Sequence, residues 1–222
     1  MNPSSPRTRP PALDPAAGSG RDLPLLLLTL AAAAASIAAF LFHALGWVRM
    51  PYGAAFISLP GMVVLLAVGV YAGRTSRDVL LNRLAVGAAA GAVGLLAYDG
   101  IRLAAQWVLP FDFDAFTVMG LFGTFMTGLP ADHPGALAAG WAYHVSNGLT
   151  FAIAYAVVAG PARRWWGLAW GVVLEVAMLV VYPAIFRITT VAGFVIVSVI
   201  GHVAYGLALG IWCERRAMPW RR

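Results

Sequence analysis

The chain has 222 residues, of which 61% are hydrophobic and 11% charged, and it carries a formal net charge of +6. Soluble domains are about 25% charged. This balance, with a mean hydropathy of +0.80, therefore excludes an ordinary soluble domain and indicates an integral membrane protein. Every basic residue is an arginine, and the arginines flank apolar runs, so the positive charge sets orientation and is not a nucleic-acid footprint.

In chain order, residues 1–22 are rich in Pro, Ser, Ala and Gly. They cannot bury a core and read as a disordered cytoplasmic tail. Six apolar runs follow, at about 23–48, 52–73, 84–109, 136–160, 166–186 and 191–212. A helix needs about 20 residues to cross a bilayer, and backbone polar groups in lipid must be bonded within the segment. The expected fold is therefore all-α and polytopic: six transmembrane helices over 23–213, then a basic cytoplasmic tail over 214–222. The first run is too long for an ordinary signal peptide, although the alanines at 31–35 offer small-residue cleavage sites. Pro60 predicts a kink in the second run.

Arg7, Arg9 and Arg21 precede the first run. Arg74, Arg77 and Arg83 follow the second, Arg163 and Arg164 the fourth, and Arg215, Arg216, Arg221 and Arg222 the last. The other side keeps Arg49 and Arg187 with Asp112, Asp114 and Asp132. The positive-inside rule then places both termini in the cytoplasm of a cell inner membrane, as an even number of spans requires. Trp47, Trp107, Trp141, Trp165, Trp166 and Trp212 fall near predicted ends, as an aromatic belt does. The arginines at 74, 77 and 83 read as a loop cluster that touches anionic lipid heads.

The segment 114–128 joins the third and fourth runs and is apolar but too short to cross. It reads as a helix lying on the membrane surface, with a re-entrant segment or a lid as alternatives. Cys213 is the only cysteine, so it forms no internal disulfide and reads as an inert thiol near the inner end of the last run.

The sharpest feature is a near-repeat. His144-Val145-Ser146-Asn147-Gly148-Leu149 in the fourth run matches His202-Val203-Ala204-Tyr205-Gly206-Leu207 in the sixth. Each copy has an acid in the preceding run, Asp99 or Glu175. This predicts a duplicated helical hairpin, spans 3–4 and 5–6. At about 1.5 Å per residue, Asp99, His144, Asn147, Glu175 and His202 lie roughly 12–18 Å from the outer end, near the bilayer midplane. Residues four apart share a helix face. Gly140, His144, Gly148 and Ala152 therefore form one stripe, and Ser198, His202, Gly206 and Gly210 another. Small residues let helices approach closely, so both histidines face partner helices and the acids are their expected neighbours. His43 is shallow and His133 lies in an outer loop, so both read as non-functional.

Asp99, Arg102, His144, Asn147, Glu175 and His202 are the candidates for a substrate or proton site. Two imidazoles and two carboxylates suit a divalent metal, with His144, His202, Asp99 and Glu175 as ligands. Histidine also relays protons near neutrality, and two histidines can ligate haem. No HExxH, CxxCH or phosphate-loop motif is present. The plainer alternative keeps Asp99 and Arg102 as a local ion pair and the histidines as packing groups. Gly87-xxx-Gly91, Gly167-xxx-Gly171 and Gly206-xxx-Gly210 are packing spacings that serve internal contacts or a homo-oligomer. The expected partner is the lipid bilayer, with no nucleic acid.

The stretch His202-Val203-Ala204-Tyr205-Gly206-Leu207-Ala208-Leu209-Gly210 resembles the last helix of small bacterial inner-membrane families of unknown function. The resemblance covers roughly one span. It implies a polytopic helical fold and carries no assigned chemistry. Three functions follow from the residues. The first is transport of a small solute, ion or proton through a central site, as repeated transporter units build. The second is an intramembrane metal- or haem-dependent enzyme, and the third a structural or accessory subunit.

Overall fold

The computed structural model describes residues 22–109, 114–186 and 192–220. The expected N-terminal tail lies outside these residues, as do Asp112, Arg187, Arg221 and Arg222 of the orientation argument. Among the described residues the chain forms seven helices and no strands. They are α1 (Leu23–Ala44), α2 (Met50–Arg74), α3 (Asp78–Val108), α4 (Thr117–Thr127), α5 (Pro134–Val158), α6 (Arg164–Phe186) and α7 (Ala192–Arg216).

Five helices are long and apolar enough to cross a membrane: α1, α2, α3, α7, and α6 over Trp165–Tyr182. That defines a multi-pass helical membrane protein. The α5 helix, 25 residues long, is not among the five; it carries His144, Ser146 and Asn147 in its middle. Leu66, Val63, Leu96, Val173 and Val180 are exposed and give the bundle the apolar exterior that lipid requires. Trp47, Trp107, Trp165 and Trp166 are exposed near helix ends.

Local chemistry explains the boundaries. Asp22 caps α1 by accepting from the Leu25 amide, with proline in the first turn, as helix starts favour. The expected kink in α2 is a π-helical turn at Ala54–Ser58. Pro60 lacks an N–H and its ring crowds the carbonyl four residues earlier, so the helix widens just before it. α3 starts six residues before its apolar run because Asp78 opens it and Asn82 and Arg83 find partners at its first turns. α4 ends at Gly128, whose φ of +75° is the left-handed stop that glycine permits.

α3 is the central element, packed along both α5 and α7; α6 packs on α7, and α1 on α2 and α5. The glycines are used inside the chain. Gly87 and Gly91 lie against Ala152, Ala156 and Gly148 of α5, while Gly167 and Gly171 lie against Gly206 and Gly210 of α7. These faces are thus filled by neighbouring helices of the same chain.

Packing places one segment and corrects one expectation. The helix α4 of the 114–128 segment runs against the N-terminal half of α5, with Val118, Met119, Gly120, Phe122 and Gly123 buried. A Cβ at Gly123 would collide with the Ala136 carbonyl and one at Gly140 with the Met119 carbonyl, so the two backbones are in direct contact. Arg83 does not reach lipid heads; it is 2% exposed. Its guanidinium donates to the carbonyls of Ala156 and Val157 at the end of α5 and to Met218. A cation there adds donors to carbonyls of the last helical turn and opposes the negative helix end.

Residues 217–220, just after α7, fold back on the bundle. The Met218 amide donates to Asn82, Trp220 donates to the Val157 carbonyl, and its ring stacks on Arg83. Asp22 pairs with Arg77 at 2.9 Å. The start of α1, the α2–α3 turn, the end of α5 and the end of α7 therefore meet at one end of the bundle.

Candidate functional site

The site is built from the spacing of small residues. Gly91 of α3 sits against Gly148 and Ala152 of α5. Two turns further along α3, Asp99 reaches His144. In the second hairpin Gly167 of α6 sits against Gly206 and Gly210 of α7. Two turns further along α6, Glu175 reaches His202. The two hairpins thus make the same contacts in the same register, and each acid meets the histidine of its own hairpin.

The geometry of the pairs differs in detail. His144 Nε2 lies 3.2 and 3.0 Å from the two Asp99 carboxylate oxygens. Arg102 donates to the same carboxylate at 3.4 Å, which forms the expected local ion pair. His202 Nδ1 lies 2.6 Å from Glu175 Oε2 and 3.1 Å from the Ser198 carbonyl. A backbone carbonyl only accepts, so these partners assign the proton to Nδ1. Ser198 Oγ also donates to Glu175 Oε2, at 2.8 Å. His144 donates through Nε2 and His202 through Nδ1, which leaves His144 Nδ1 and His202 Nε2 as lone-pair acceptors while the rings are neutral.

Glu175 is 5% exposed, and its Oε1 is buried with no hydrogen-bond partner among the described residues. The Asn147 Oδ1 is in the same condition. Buried polar atoms are nearly always bonded, so these two mark places where the fold by itself leaves a demand open.

Both histidines line one cavity of about 290 Å³. Tyr98 of α3 connects them across it, with its ring centroid 5.7 Å from that of His144 and 4.8 Å from that of His202. Asn147 and Tyr205, which hold the same place in the two repeated hexapeptides, both line the cavity. Tyr205 donates to the Gly148 carbonyl of the other hairpin at 2.7 Å. Phe40, Phe122, Tyr143 and Tyr182, from α1, α4, α5 and α6, pack ring on ring with centroids 5.0–6.4 Å apart, and the first, second and fourth of them line the cavity.

Arg102 links the first pair to α4. It is 3% exposed, donates to the Ala115 carbonyl just before α4, and lies over the rings of Tyr98 and Phe116.

The six candidates are thus brought into one region, but not as one ligand set. Among the described residues no group of three or more His, Cys, Asp or Glu side chains is placed to hold a metal ion. Asp99, His144, Glu175 and His202 form two separate pairs instead, because each carboxylate is engaged by its own hairpin. His133 caps α5 through Nδ1, His43 packs on Phe125, and Cys213 is buried. Sequence reasoning missed Tyr98, Tyr182, Tyr205 and Phe122. The place of Tyr205 in the repeat was a usable signal; nothing in the sequence marks Phe122 or Tyr182, which come from distant helices.

Fold and site together define a helical membrane protein with two acid–histidine pairs beside one internal cavity. The chain belongs to the DUF6789 family, a family of unknown function, whose model matches residues 81–219. The match covers both hairpins, α4 and most of the folded C-terminal segment, and leaves out α1 and α2. No curated protein and no solved structure matches the chain.

Proposed function

We propose that the protein is a six-span inner-membrane protein with both termini cytoplasmic, built on a duplicated hairpin, and that it is a transporter of a small solute, ion or proton, with protons passing by way of the cavity. α5 supplies the sixth span: its 25 residues exceed the bilayer requirement of about 20, His144 and Asn147 face the cavity, and Ser146 meets Ser36 of α1. The meeting of the α1 start, the α2–α3 turn and the α5 and α7 ends at one end of the bundle supports this even count.

One observation carries the transport reading: two acid–histidine pairs, one from each hairpin, adjoin the same cavity. A carboxylate that holds one ring nitrogen fixes the orientation of the imidazole, and the other nitrogen can then take and return a proton. Binding sites between repeated units near the midplane are the usual transporter arrangement. The Phe40–Phe122–Tyr143–Tyr182 cluster borders the cavity, and displacement of α4 would open it.

The test is proton flux into liposomes that hold the purified protein and a pH-sensitive dye, driven by a potassium-diffusion potential. Protein-dependent acidification is expected, and His144→Ala and His202→Ala should each lower it by about tenfold or more. Flux absent from the wild type, or unchanged in both variants, would leave the pairs as packing groups.

A further inference from the structure

We propose that the cavity takes an amphiphilic ammonium: a protonated primary amine on a short apolar body, admitted sideways from the bilayer between α1 and α6. The assignment rests on reading the cavity as a binding site, and it names the ligand that the lining selects.

The first observation is the sign of the unmet hydrogen bonds. Asn147 Oδ1 and Glu175 Oε1 are buried acceptors without partners among the described residues. His144 Nδ1 and His202 Nε2 are acceptors once their other nitrogens donate to the acids. On the residues that line the cavity these open atoms, Asn147 Oδ1 and the two free imidazole nitrogens, are acceptors, whereas the unpartnered buried donor nearest the pairs, Arg102 Nε, belongs to a residue outside the lining; a ligand in the cavity must therefore bring donors. An ammonium group brings three.

The second observation is charge. Asp99 and Glu175 lie behind the two histidines, and Arg102 is the one cation bonded to them among the described residues. With ionised acids and neutral imidazoles the set is one negative charge in excess, in a setting where solvent screens little. An anion would meet two carboxylates and a single guanidinium, whose two terminal nitrogens already donate to Asp99 and the Ala115 carbonyl and whose Nε alone is unpartnered among the described residues.

The third observation is shape. The rings of Phe40, Tyr98, Phe122, Phe151, Tyr182 and Tyr205 line the space, and aromatic faces attract cations, more strongly when desolvated. Leu95, Leu174, Met178 and Val181 supply apolar wall for a hydrocarbon body. The volume is at the lower edge of ordinary ligand pockets, about 300–1,000 Å³, which suits a short chain.

The fourth observation is access. Leu41 of α1 and Ala177 of α6 line the cavity and are also exposed, and α1 and α6 are not closely packed along their lengths. Three rings of the aromatic cluster wall the cavity. Glycine-tight packing of α6 on α7, and of α3 on α5, fills those sides. The open side is therefore the lateral one, towards lipid.

The experiment measures the thermal unfolding midpoint of the full chain in lipid nanodiscs during titration with hexylamine, hexan-1-ol and hexanoate. A saturable rise is expected for hexylamine, with an apparent affinity about tenfold or more above that of hexan-1-ol, and no saturable rise for hexanoate. Glu175→Gln should bring hexylamine close to the alcohol, and Ala177→Phe, at the mouth, should weaken the amine and the alcohol alike. Equal or tighter binding of hexanoate, or amine binding no tighter than that of the alcohol, overturns the assignment. The wild-type comparison stands even if a variant fails to fold. Because binding is read without flux, amine binding without proton flux would sink the transport reading alone. Flux without amine selectivity would sink the ligand assignment alone.

Discussion

At the residue scale, the informative result is which acid meets which histidine. Glu175–His202 is the shorter and more buried pair, at 2.6 Å with side chains 6% and 13% exposed. Asp99–His144 is longer, and Asp99 is 22% exposed and shared with Arg102. Contacting residues couple by about 0.5–3 kcal/mol in stability, and distant ones add. Double-mutant cycles on unfolding in detergent should therefore show coupling between Glu175→Gln and His202→Ala. Weaker coupling is expected between Asp99→Asn and His144→Ala. A cycle across the pairs, Glu175→Gln with His144→Ala, should be close to additive. Strong coupling across the pairs would mean that the four groups act as one cluster. The sequence marked the two acids as the neighbours of the two histidines without saying which acid meets which histidine. It could not show that the carboxylates stay within their own hairpins, because that depends on the helix rotation set by Gly91 and Gly167.

At the scale of elements, the contacts of α4 and the glycines of α3 and α5 decide the packing. The Gly140 backbone touches the Met119 carbonyl, so Gly140→Ala forces α4 away from α5. Overpacking of this kind costs about 1–3 kcal/mol. Gly100 on α3 has nothing within 4 Å of a built Cβ, so Gly100→Ala should be neutral or stabilise by up to about 1 kcal/mol through helix propensity. Thermal unfolding of the two single variants checks this; an equal loss from both would show that glycine acts there through backbone freedom and not through close approach. The sequence left α4 open between a surface helix, a re-entrant segment and a lid, because run length by itself says only that the segment is too short to span. Its burial against α5 needs close backbone approach from both helices, Gly123 against Ala136 and Gly140 against Met119 and Gly123, and that complementarity is not visible in either segment separately.

At the scale of the whole molecule, the proposed six-span topology makes a direct prediction. Cysteines introduced at Asp132 and Arg222 should react with a membrane-impermeant maleimide from opposite sides of the membrane. The native thiol should stay silent because Cys213 is buried. Labelling of both positions from one side would exclude both termini on the arginine-rich face. The family match begins within the first turns of α3, so the hairpin pair, α4 and the folded tail form the unit that the family shares, while α1 and α2 flank it. α1 still matters to the site: Phe40 lines the cavity and Leu41 borders its mouth.

Composition and run length by themselves determined that this is a helical membrane protein, because lipid offers backbone polar groups no partners and helix formation is what remains. The repeated hexapeptide and its paired acids determined where the polar site lies along each helix, because helical rise and four-residue periodicity are local properties. Only the tertiary structure decided that the four groups divide into two pairs and that an aromatic ring joins them across a cavity. It also decided that Arg83 and the segment after α7 close one end of the bundle. Those facts depend on which helix faces which, and that is settled by close backbone approach between segments that lie far apart in the chain.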